Sequence, residues 1–241
     1  MRFMVMHKMT AELEKGLPPD PAIIAGVHAL IGEGLENKVF VGGEGLRPSA
    51  ERMHISYRSG ERTVLDGPFT EAKELIGGFA LMVVRSKEEL LHWCDRYAQV
   101  LGDVELHVGA VVEGWHLGMM PKPVDPPLRF LSLHQVDARS EQDGPPSQDM
   151  MAKMGALIEE MTKAGVLQAT GGVAGTKYGA RIHYKNGKAT VTDGPFAESK
   201  ELIAGYALLE LPSKAAAIEW ALRFGEVVKV NEVEVRQFPE W

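Results

Sequence analysis

Two histidines, His7 and His134, and two aspartates, Asp66 and Asp193, are the residues of this 241-residue chain best suited to acid–base catalysis. A neutral imidazole at a strand end can take a proton near neutral pH, and a carboxylate beside it would orient the ring. Each aspartate opens an Asp-Gly-Pro-Phe segment, 66–69 and 193–196. Glycine can take positive φ there, proline fixes the next φ, and the carboxylate can accept amides two and three residues on. Phe69 and Phe196 would anchor these turns in apolar surface. Each aspartate therefore reads either as a turn former or as a base and ligand anchor at a cleft mouth. The histidines read either as bases or as half-buried rings satisfied by a backbone carbonyl. Glu71, Lys73 and Glu74 follow the first turn, and Glu198, Lys200 and Glu201 follow the second. They suit a solvated surface, or, through Lys73 and Lys200, the binding of an anionic substrate. Glu44 and Arg47 form a further candidate ligand-binding pair, in the first half only.

Other chemistries find less support. No HExxH or Cys-His spacing occurs, so no metal centre is expected; a His7–Asp66–Glu44 cluster is the one arrangement left to consider. No GxGxxG or GxxxxGK[ST] segment occurs, so no cofactor is implied and its identity stays open. Cys94 lies on the apolar face of a helix and reads as a buried structural thiol. As the lone cysteine it excludes an intrachain disulfide and fits a reducing, cytoplasmic compartment. Lys plus Arg number 26 against 33 Asp plus Glu, a net charge of −7 with no basic cluster, which argues against a nucleic-acid partner. No apolar run is long enough to span a membrane, and the stretch before Lys8 is too short for a signal peptide. With 45% hydrophobic and 24% charged residues the composition is that of a globular protein.

The elements that must position these residues are written twice. Residues 63–82, TVLDGPFTEAKELIGGFALM, return at 190–209 as TVTDGPFAESKELIAGYALL, at an offset of 127. The same offset pairs His7 with His134, Tyr57 with Tyr184, Trp93 with Trp220 and Arg96 with Arg223. At the ends of the units it slips by two residues if VELHV (104–108) is set against VEVRQ (233–237). Two units follow, 1–115 and 128–241, joined by a Pro-rich linker, 116–127. Within a unit the pattern predicts a strand, a helix, a second strand, a hairpin with its tip at Ser59-Gly60 or Asn186-Gly187, another strand, a capped helix and a last strand. This is an α+β, ferredoxin-like plan with an inserted hairpin. In the first strand Phe3, Val5 and His7 face one way and Met4 and Met6 the other, so both faces need cover. The two helices of the same unit would cover one face. The sheet of the other unit would cover the second, giving an intramolecular pseudo-dimer that is monomeric and open to further self-association.

The segments GEGL (43–46), DGPF-x-E-x-K-E (66–74) and Gly78-Phe79, with the second DGPF-x-E-x-K-E at 193–201, resemble the YCII-related family in its DGPF subgroup. The resemblance implies the dimeric α/β-barrel variant of the ferredoxin-like fold, built in relatives from single units. Some YCII relatives have a His–Asp pair proposed as an active site. The fold superfamily also holds isomerases, mono-oxygenases and haem enzymes, so the fold does not choose a reaction. The second copy departs from the pattern: Thr170-Gly171-Gly172-Val173 replaces GEGL, so Glu44 has no counterpart. Three functions stay open. A small-molecule enzyme using His7/Asp66 and His134/Asp193 needs those side chains within hydrogen-bond reach. A small-ligand binding module needs an enclosed apolar pocket without that geometry. A regulatory interaction protein needs a sizeable exposed apolar patch.

Overall fold

A computed structural model describes residues 1–69, 75–136, 146–197 and 202–240. The first half runs β1 (Arg2–Lys8), α1 (Ala11–Glu14), α2 (Pro21–Glu36), β2 (Phe40–Gly45), β3 (Arg52–Arg58), β4 (Glu61–Asp66), β5 (Ile76–Val84), α3 (Lys87–Leu101) and β6 (Val104–Ala110). The second runs β7 (Leu128–Gln135), α4 (Gln148–Lys163), β8 (Leu167–Gly172), β9 (Ala180–Lys185), β10 (Lys188–Asp193), β11 (Ile203–Glu210), α5 (Lys214–Val228) and β12 (Glu232–Gln237). Short polar residues set the helix starts. Asp20 accepts from the Ala22 amide with Pro21 next in line, and Ser86, Ser147 and Ser213 each accept an amide three residues on. Both hairpins turn through two left-handed residues, Ser59-Gly60 and Asn186-Gly187. The short helix α1, capped by Thr10, is not predicted from the sequence, because four residues carry no periodicity.

Among the described residues the strands form two six-stranded antiparallel sheets, in the orders β10-β9-β12-β1-β11-β2 and β4-β3-β6-β7-β5-β8. Each sheet thus takes four strands from one sequence repeat and two from the other. β1 lies between β12 and β11, with Val5 opposite Val235 and Ala207. β7 lies between β6 and β5, with Ser132 opposite Val108 and Ala80. These registers are identical at an offset of 127, through β6 and β12 as well, so the two-residue slip does not occur. Because the registers match, β1 and β7 fit either central slot, and sequence alone cannot choose. The connection through residues 111–127 brings β7 back antiparallel beside β6, its neighbour in sequence among the strands.

The exchange corrects the expected helix cover. The Phe3 and Val5 face packs on Leu30 of α2 and on Ala217, Trp220 and Phe224 of α5, one helix from each repeat. The other sheet packs on α3 and α4 in the same mixed fashion, around Leu90, Trp93, Leu157 and Met161. Met4 and Met6 face the second sheet, as their alternation requires. They share one apolar cluster with Tyr206 and Leu208 of their own sheet and with Phe79, Leu81, Leu131 and Leu133 of the other. Two buried arginines cross this layer. Arg52 on β3 donates to the carbonyls of Arg47 and Ile203, and Arg236 on β12 donates to those of Ala174 and Ile76, the same two positions of the repeat. Their own positions are not equivalent. A glycine, Gly179 or Gly109, stands where the other half has its arginine, so the guanidinium reaches the same place from a neighbouring strand. Among the described residues no helix is long and apolar enough to cross a membrane.

Candidate functional site

His7 ends β1 on the helix-covered face and is 8% exposed. Burial pushes its pKa down to about 4, with a backbone hydrogen bond at Lys8 opposing, so the ring is neutral at pH 7. Its Nδ1 has no hydrogen-bond partner among the described residues. Glycine is required opposite it: a Cβ on Gly205 would lie 2.7 Å from His7 Nε2 and 2.8 Å from the Glu44 carbonyl oxygen. The ring borders a cavity of about 270 Å³ under α1, α2 and α5. Ile23, Ile24, Val27, Leu30, Trp220 and Phe224 supply much of its apolar wall. Arg47 and Glu44 also line it, so three of the residues singled out in the sequence meet here.

Glu44 and Arg47 are not paired with each other. Arg47 is bound to Glu51 at 2.7 Å. Glu44 is bound to Arg129 of the opposite sheet, whose guanidinium also holds Glu113 at 3.1 Å. Burial raises the Glu44 pKa against the opposing pull of Arg129. The exchanged strand β7 brings Arg129 to this place, and the sequence spacing gives no sign of it.

His134 holds the equivalent place in the other half, where burial also pushes its pKa down to about 4. Two things differ. Its Nδ1 is 3.1 Å from the Tyr97 hydroxyl, and the cavity beside it is only about 40 Å³. Met154 and Met161 of α4 line that small cavity, where α2 has Val27 and Gly34. Tyr97 corresponds to Phe224, which meets His7 edge-on at 5.5 Å and has no hydroxyl to give. This difference is visible in the sequence as Tyr97 against Phe224. Its meaning is not, because each ring meets the histidine of the other repeat.

The aspartates lie elsewhere, which corrects the expected His–Asp pairs. The ladder runs Asp193–Ala180, Ala180–Val235, Val235–Val5, so Asp193 is three strands from the strand of His7. Asp66 stands in the same relation to β7 and His134, through Met53 and Val108. Three strand spacings are roughly 14 Å, beyond a one-water bridge. Asp66 and His7 belong to different sheets. Both aspartates are largely exposed and bind the lysine that opens the next helix, Asp66 to Lys87 at 2.7 Å and Asp193 to Lys214 at 2.6 Å. Positive φ is not what the turn glycines provide. A Cβ on Gly67 would lie 1.9 Å from the Ser49 carbonyl oxygen, and one on Gly194 1.8 Å from that of Thr176. The following Gly–Pro bonds are cis in both copies. Phe69 packs against the His107 ring and Phe196 against the Arg181 guanidinium. Glu71, Lys73, Glu74, Glu198, Lys200 and Glu201 lie outside the described residues.

Among the described residues no three His, Cys, Asp or Glu side chains group as a metal site. Cys94 is buried, and desolvation pushes its thiol up to about 12, so it is a poor nucleophile. Comparison with curated proteins and with solved structures gave no match. The YCII-related domain matches the chain twice, over residues 1–105 and 129–241. Two matches that together take in both histidines, both Asp-Gly-Pro-Phe turns and nearly all the strands leave one conclusion: the chain belongs to the YCII-related family, as a tandem duplication of its domain.

Proposed function

We propose that this protein binds a small, mainly apolar molecule in one pocket, the cavity beside His7, and that His7 supplies the polar contact. The observation that carries this reading is a largely apolar cavity of about 270 Å³ bordered by the buried, neutral His7 ring. A general base works best with a pKa near the operating pH. His7, at about 4 and without an aspartate in reach, suits hydrogen-bond acceptance better than proton abstraction. The binding reading is therefore favoured over acid–base catalysis. On its two Asp-Gly-Pro-Phe segments we place the chain in the DGPF subgroup. We also read the two sheets as the wall of a pseudo-dimeric α/β barrel, a reading supported by the apolar layer that both sheets share.

Calorimetric titration with indole tests the pocket. Indole should bind once per chain and shift the methyl resonances of Ile24, Val27 and Leu30. Val27→Met, which copies the methionine of the other half, should weaken binding at least about tenfold, the loss of roughly 1.4 kcal/mol. Two molecules per chain, or unchanged binding to Val27→Met, would reject a single pocket.

A further inference from the structure

One side of the His7 cavity is made neither by the sheets nor by the long helices. Leu13, Gly16, Leu17 and Pro19, from α1 and the stretch between α1 and α2, line it there. This strap buries little apolar surface of its own. No residue of α1 is buried, and Leu17 is 67% exposed although it lines the cavity. An element with few buried apolar contacts opens locally at low cost, well before the core does.

What holds the strap is polar. The Glu14 carboxylate accepts from the Ser49 amide at 3.0 and 3.2 Å and from the Ser49 hydroxyl. Hydrogen bonds to a carboxylate are stronger than those between neutral groups. Arg47 adds a long bond to the Gly16 carbonyl at 3.4 Å. Gly16 itself has a φ of +68°, and a Cβ on it would lie 3.0 Å from Pro48. Both ends of the strap are anchored, by the Met9 amide on the Leu202 carbonyl and by Asp20 at the start of α2.

Ser49 is in turn fixed from behind. It opens the short helical turn before β3, and its carbonyl lies over Gly67 so closely that a Cβ there would come within 1.9 Å. The Asp-Gly-Pro-Phe turn therefore supports one half of the latch, and the strap carries the other. Arg47 and Pro48, just before Ser49, line the cavity, so the latch sits at its edge. Glu14 and Ser49 are not among the lining residues, so they leave the binding surface as it is.

We infer that residues 10–19 are a gate on the His7 cavity, closed by the Glu14–Ser49 latch, through which a ligand enters and leaves. The inference rests on the reading of this cavity as a ligand site. It gives the Asp-Gly-Pro-Phe turn of the first half a part in that site, as the support of the gate rather than as a source of a catalytic aspartate.

Amide hydrogen exchange and the release rate of indole, both read by NMR, test the gate. Saturating indole should slow exchange of the Leu13 and Gly16 amides in the wild type. Glu14→Ala should speed those two amides at least about tenfold in the free protein and raise the indole release rate by a similar factor, as the loss of hydrogen bonds to a charged group implies. Ser49→Ala, which keeps the amide and removes the hydroxyl, should give a smaller change in the same direction. The Met4 and Met6 amides of β1 should keep their wild-type rates. Equal acceleration of Met4 and Met6 would mean a general loosening and would overturn the gate. Unchanged exchange of Leu13 and Gly16, or unchanged release, in Glu14→Ala would also overturn it and leave the ligand site standing. No indole binding by the wild type would overturn both.

Discussion

His7, His134 and His107 are single residues whose burial makes stability depend on pH. Burial lowers the pKa of His7 and His134 to about 4 and that of His107 to about 3, from about 6.5 in an unfolded chain. The unfolded state therefore binds more protons between these limits. Stability is full above pH 6.5 and is lost as pH falls through the folded values. Each histidine should contribute a slope of about 1.4 kcal/mol per pH unit inside that window. Urea unfolding at pH 7.0, 6.0 and 5.0 checks it, and His7→Gln should flatten the profile by about one third of the histidine slope. A profile already flat in the wild type would mean that these rings are not held neutral. The place of His7 near the end of a first strand was legible in the sequence. Its partner was not, since an aspartate paired with it by analogy proved to be three strands away.

The Asp-Gly-Pro-Phe turn acts at the scale of an element. It joins an edge strand, β4 or β10, to the residues before β5 or β11, and its aspartate ties to the first residue of α3 or α5. An exposed ion pair of this kind contributes up to about 1 kcal/mol. Asp66→Asn should thus cost less than about 1 kcal/mol in urea unfolding and leave indole binding unchanged. A large loss of binding would return Asp66 to the site. The turn reading of this segment was available from residue types alone, but the reason for its glycine was not. Gly67 is needed because the Ser49 carbonyl passes over its Cα, and that contact comes from a short helical turn after β2. α1 was missed for a related reason. A four-residue helix has no hydrophobic period, yet Leu13 at its end lines the cavity beside His7.

At the scale of the whole molecule the feature that matters is the reciprocal exchange of β1–α2–β2 with β7–α4–β8. It sets Tyr97 of the first repeat against His134 of the second, and Phe224 of the second against His7 of the first. It also brings Arg129 to Glu44. Val5 pairs with Ala207 across neighbouring strands, within the range of Cα separations that a disulfide spans. In a Cys94→Ala background, Val5→Cys with Ala207→Cys should therefore cross-link on oxidation, read as a mobility shift of the non-reduced protein. Val5→Cys with Ala80→Cys should not, because Ala80 is the equivalent position in the other sheet. Cross-linking of the second pair instead of the first would place β1 in the sheet of its own repeat.

The sequence by itself determined the duplication, the order of the strands and long helices, the hairpin tips and the two-faced burial of the first strand. These depend on side-chain period and on residues close in the chain, and each half carries them independently. Only the tertiary structure decided which strand completes which sheet. Two copies with the same register offer equivalent slots, so the choice rests on chain connection and on packing across the molecule, not on any local preference. That choice sets which side chains meet His7 and His134. With Phe224, Val27 and Gly34 on one side and Tyr97, Met154 and Met161 on the other, one half keeps a cavity and the other fills it.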